Sequence, residues 1–145
     1  MNQNGHADAD LLDRLAAGDK NALSAIFDRH AKTVTRYAWT LVDKRMDVEE
    51  IVQDTFLTAW QKADSITLPN ESLLPWLLVT CRNQAFNLRR KHKRNEVAEL
   101  PEELPAPETN IDARERLRWV MDEIERLEPV DRKVCELCLI EGRPY

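Results

Sequence analysis

Asn83, Asn87, Arg90 and Arg94 are spaced 4, 3 and 4 residues apart, which places them in one narrow stripe of a helix. Amides can bond base edges and guanidinium groups can bond phosphates, so this is the mixture a reader of nucleic acid needs. The stripe runs into Arg89-Arg90-Lys91-His92-Lys93-Arg94, whose concentrated positive charge attracts phosphate or other anionic surfaces. A solvated helix end, where cations satisfy the dipole, would carry a similar run. Trp76 and Phe86 flank the stripe, where their rings could stack on unpaired bases or pack beneath the preceding loop.

A second constellation lies upstream. Glu50, Gln53, Asp54, Leu57 and Gln61 share one helical face, with Trp60 at its border. A leucine and a tryptophan beside acidic and amide groups resemble a protein interface, which favours an aromatic anchor within a polar rim. The alternative folds Trp60 back into the core and leaves Leu57 as an ordinary exposed apolar residue. Cys135-x-x-Cys138 offers two of the four ligands a structural zinc needs, but His6, His30 and His92 are scattered. The pair therefore reads as small core residues rather than as a metal or redox site. His30 sits on an apolar stripe and reads as a satisfied core histidine. No nucleophile, base and orienting residue share a recognisable spacing, so neither catalysis nor a metal or other cofactor is expected.

The elements that must position these groups read as helices throughout, with no sustained two-residue alternation, and the fold class is all-α. A short helix over about 9–17 ends at Gly18, and Asp19 caps the next, over about 20–42. Leu23, Ile26, Phe27, His30, Val34, Tyr37, Ala38 and Leu41 form its stripe. Asp47 and Glu50 resemble a capping box for a third helix, in which Val48, Ile51, Val52, Thr55, Phe56, Ala59 and Ala63 form a matching stripe. These two helices should pack antiparallel. Residues 64–72 hold turn formers and read as a loop. Ser72 can cap a fourth helix that tolerates Pro75 in its first turn and runs to about Arg94. Its packed face is Leu74, Leu77, Leu78, Cys81, Ala85 and Leu88. Residues 95–110, with three prolines, five glutamates and no basic residue, read as an extended linker. Helices over about 111–127 and 130–140 follow, with too little apolar surface for a comfortable core of their own.

The chain has 145 residues and a net charge of -5, but the average conceals the distribution. Residues 1–75 carry 8 basic against 12 acidic side chains, residues 76–95 carry 6 against none, and residues 96–145 carry 7 against 14. All the excess positive charge lies in the fourth helix. Three cysteines, an odd count, argue against a disulfide framework, and only three glycines leave no phosphate-cradling loop. No apolar run approaches the ~20 residues of a membrane span, and the polar, acidic start lacks a secretory leader. A cytoplasmic protein is expected.

Taken in order, DVEEIVQDTFLTAWQKADSI, a loop, PWLLVTCRNQAFNLRRKHKR, an acidic linker and LEPVDRKVCELCLIEGRPY resemble the extracytoplasmic-function (ECF) sigma factors of bacterial RNA polymerase. The resemblance covers nearly the whole chain. It implies that residues 1–94 are sigma region 2, that 95–110 are a linker threading near the polymerase active-site channel, and that 111–145 open a region 4 which stops before its helix-turn-helix. Recognition of the -35 element is then not expected of this chain unaided. Matched by position, Glu50, Gln53, Asp54, Leu57 and Trp60 would bind the coiled coil of the polymerase β′ clamp. The 64–72 loop, Asn83 and Asn87 would hold a flipped base of the promoter -10 element, with Arg82, Arg89, Arg90, Lys93 and Arg94 on the DNA backbone. The loop carries Leu68-Pro69-Asn70 in place of the family's aromatic and Arg-Gly content. The resemblance also implies an anti-sigma factor that covers the polymerase-binding surfaces. Two other readings share part of the pattern. A free-standing helical nucleic-acid module would use the basic helix alone, and a protein-binding regulator would use only the Glu50 to Trp60 face.

Overall fold

The computed structural model describes residues 8–66, 68, 72–96 and 107–140, with side chains for 8–66, 68, 72–94 and 114–139. Every regular element among them is helical: α1 (Asp8–Ala16), α2 (Lys20–Leu41), α3 (Arg45–Gln61), α4 (Leu74–Glu96), α5 (Pro107–Glu125), α6 (Pro129–Cys135) and a π-helical stretch, Glu136–Ile140. Gly18 takes φ +97°, the left-handed conformation that ends α1, and the Asp19 carboxylate accepts from the Asn21 N–H at 2.9 Å to start α2.

α2 is the central post, packed against α1, α3, α4 and α5. Its expected stripe is buried at Ile26, His30, Val34, Tyr37 and Ala38, while Phe27 is half out and meets Phe56 edge-on at 4.9 Å. That contact joins the start of α2 to the end of α3, as an antiparallel pair requires. α4 buries Leu74, Leu77, Leu78, Cys81, Ala85 and Leu88, the face its periodicity predicts. Gln84 of α4 reaches Thr58 of α3, and further along His92 reaches Asp47, so α4 runs back along α3.

Several boundaries differ from the sequence reading. α3 begins at Arg45, with Lys44 at the cap position and no side-chain cap bond, so Asp47 and Glu50 form no capping box. Asp47 lies in the first turn instead, where its carboxylate favours the helix dipole and accepts from His92 at 3.2 Å. α5 takes in residues 107–110, which the proline content had assigned to the linker; Pro107 occupies the first helical position, where a missing N–H costs nothing. The last helix is not continuous α over 130–140 but changes to π geometry after Cys135. Val120, Ile124 and Cys135 belong to the same buried cluster as α1 to α4. Apolar surface insufficient for a separate core is thus buried against α2 and α4. Across this contact Arg36 lies over Trp119 at 4.1 Å and Arg116 over Trp39 at 4.9 Å, a reciprocal pair of cation–π contacts between α2 and α5.

Candidate functional site

α3 buries Val48, Ile51, Val52, Thr55, Phe56 and Ala59, so helical spacing turns the remaining positions outward. Glu50 and Gln53 are exposed, Asp54 is half-buried, and Leu57 and Trp60 keep 39% and 40% of their surface accessible. Trp60 therefore does not fold back into the core. The five residues form one mixed face with an aromatic anchor and acidic neighbours. Beside it, Leu23, Phe27, Val52, Phe56 and Leu57 line an apolar groove of about 630 Å³ between α2 and α3.

The second face belongs to α4. Asn83, Asn87, Arg90, Lys93 and Arg94 are all exposed, and the last four line one open cleft of about 560 Å³. Arg90 donates to Asn87 Oδ1 at 2.7 Å, a bond that uses the acceptor of the amide and not its NH₂ donors. Two other cations of the helix reach backbone carbonyls. Arg89 donates to the Leu41 carbonyl at 2.6 Å, at the C-terminal end of α2 where a cation complements the dipole. Arg82 donates to the Cys138 carbonyl at 3.1 Å and lies over Phe86 at 4.8 Å. Within the predicted basic set, Arg89, Arg90, Lys93 and Arg94 are exposed and Arg82 is half-buried, with Arg82 and Arg89 each bonded to a backbone carbonyl. Trp76 packs partly buried against the core, and Phe86 is covered on one face by Arg82. Of the 64–72 loop, residues 67 and 69–71 lie outside the described residues.

Burial pushes the thiols of Cys81 and Cys135 up to about 12, and Cys138 is raised for the same reason. Thiols raised in this way are little ionised and poor nucleophiles at neutral pH. Among the described residues no three His, Cys, Asp or Glu side chains gather as metal ligands. His30 is the core histidine its stripe predicts, and its partner was not legible. The Asp8 carboxylate, 4% exposed, accepts from His30 Nε2 at 2.8 Å, from Arg29 Nη1 at 2.6 Å and from the Leu73 N–H at 2.6 Å. Burial would raise the Asp8 carboxyl, but the His30 hydrogen bond and charge, the Leu73 N–H and Arg29 outweigh it and hold the carboxyl below its ordinary value. No signal near residue 8 identifies partners 22 and 65 positions away.

Among the described residues every regular element is helical, and two neighbouring helices, α3 and α4, each present a mixed face to solvent. The profile of Sigma-70 region 2 matches residues 26–95. The chain is 32% identical to the RNA polymerase sigma factor NccH of Alcaligenes xylosoxydans over 95% of its own length and 78% of NccH. It is 23% identical to the ECF sigma factor BldN of Streptomyces coelicolor, covering 92% of this chain and 53% of BldN. In three dimensions it resembles CnrH, solved in complex with the cytosolic domain of CnrY, with a TM-score of 0.52 and 25% identity over 96% of this chain and 78% of CnrH. The chain belongs to the ECF group of the sigma-70 family, whose members are transcription-initiation factors rather than enzymes.

Proposed function

We propose that this sigma factor binds core RNA polymerase through the outer face of α3 and opens the promoter -10 element with the outer face of α4. The observation that carries this reading is the division of labour between two adjacent helices. Each buries one face in a shared core and presents a chemically different one outside. Leu57 and Trp60 supply apolar contact to the β′ clamp coiled coil, with Glu50, Gln53 and Asp54 as the polar rim that sets register. On α4, Asn83 and Asn87 contact an extruded base, while Arg90, Lys93 and Arg94 neutralise phosphates. Capturing a base offsets an unstacking cost of a few kcal/mol per step, so strand opening becomes dependent on sequence. Arg82 and Arg89 each give one guanidinium nitrogen to a carbonyl, of Cys138 and Leu41, and keep further N–H donors for DNA.

On this reading residues 1–94 act as region 2, and the helices after the acidic segment correspond to the opening of region 4. The acidic average charge is then no obstacle, because polymerase supplies most of the nonspecific affinity for DNA. CnrH was solved with the cytosolic domain of CnrY, and by analogy an anti-sigma partner of this chain would cover α3 and the neighbouring apolar groove.

The test is promoter binding by reconstituted holoenzyme. Asn83→Ala should reduce discrimination between -10 sequences by about 1–3 kcal/mol, the usual size of a good base contact. Arg90→Ala and Arg94→Ala should weaken all sequences alike and flatten the salt dependence by ~0.9 per phosphate contact on duplex DNA. Equal losses on every sequence for Asn83→Ala would remove it from base recognition.

A further inference from the structure

α4 starts where the chain leaves the 64–72 loop, and three consecutive residues are fixed there by different means. The Leu73 N–H is bound by Asp8, the Leu74 N–H donates to Ser72 Oγ at 3.1 Å, and Pro75 is fully buried with its φ set by the ring. Two of these constraints are local, whereas the one on Leu73 comes from α1, 65 residues upstream. The carboxylate is itself gripped from the other side by Arg29 and His30 of α2. It also places negative charge at the positive end of the α4 dipole. Asp8 lies outside the stretch that matches region 2, residues 26–95.

We propose that Asp8 is a positioning residue for promoter opening: clamped by Arg29 and His30, its carboxylate caps α4 from a distance and fixes where the loop joins the DNA-reading helix. This rests on the assignment of the loop and α4 to the -10 element. Base capture rewards a site held in place beforehand, since any wandering of the loop exit must be frozen out when the base is bound. Asp8 contributes no group to DNA and none to the polymerase face; it acts on promoter opening through the loop–α4 junction.

The experiment compares wild type, Asp8→Ala and Asp8→Asn as full chains in holoenzyme with bacterial core polymerase, at equal occupancy of core. It reads the ratio of open complex on a cognate promoter to that on the same promoter with its -10 element replaced. Asp8→Ala should narrow the ratio about tenfold, because a buried donor loses a charged acceptor. Asp8→Asn, which still offers the Leu73 N–H an oxygen, should fall between. Affinity for core should be unchanged in both. If Asp8→Ala does not fold, narrowing in Asp8→Asn with unchanged circular dichroism carries the same weight. A preserved ratio in a folded Asp8 variant, even with lowered thermal stability, would overturn the proposal and leave Asp8 a structural residue. A wild-type ratio near one would instead overturn the -10 assignment on which the proposal stands.

Discussion

At the scale of single residues, the informative groups are those whose burial and chemistry disagree. A carboxylate that is 4% exposed persists as an ion only because three donors converge on it. Its folded-state pKa lies below the ordinary 3.8, so the unfolded chain binds a proton more readily than the folded one. The stabilisation is therefore complete above pH 3.8 and is lost as pH falls through the lower folded value. Asp8→Asn should melt below wild type at pH 7, with the gap closing as pH drops under 3.8; a gap independent of pH in an acid melting series would contradict the ion-pair account. His30 was legible as a core residue because its neighbours at helical spacing are apolar. Asp8 was not, because it shares the first turn of α1 with Asp10 and looks like an ordinary dipole partner. Arg82 and Arg89, matched by position to DNA contacts, likewise have carbonyl partners 56 and 48 residues away that their sequence neighbourhood does not reveal.

At the scale of elements, periodicity carried most of the fold. The two faces of α4 and the two faces of α3 follow from residue spacing alone, since a helix that must bury one stripe turns the opposite one to solvent. Boundaries were less legible where a cap made no side-chain bond, as at Lys44, or where proline began a helix rather than breaking one, as at Pro107. The turn after α1 supplies a test of the local argument. A Cβ at Gly18 would meet nothing within 4 Å, so Gly18→Ala should cost only backbone strain at φ +97°, ~1–2 kcal/mol in chemical denaturation. Leu77→Ala, by contrast, removes a fully buried side chain in the first turn of α4 and should cost ~2–5 kcal/mol. Similar losses for the two would contradict the assignment of one to conformation and the other to packing.

At the scale of the whole molecule, the C-terminal helices share the core of α1 to α4, an arrangement that composition could suggest only as a deficit of apolar surface. Cys135 and Cys138 are buried on that side, and Cys81 lies within α4. All three should resist a thiol reagent at pH 8 in the native chain. Val120→Asp, which puts a charge into the buried face of α5, should expose Cys135 and Cys138 to the reagent while Cys81 stays protected; equal reactivity of all three would mean global unfolding. The charge distribution likewise acts on the scale of the molecule: on the proposed reading, one positive helix within an acidic chain should bind DNA weakly alone and in a directed way on polymerase. The central claim is that α3 is the docking face. Its most direct test is capture of bacterial core RNA polymerase by the wild-type chain and by Asp54→Ala/Trp60→Ala at moderate salt, with folding checked by circular dichroism. Capture by wild type and its loss in the folded double variant is the predicted result; undiminished capture by the double variant would contradict the account.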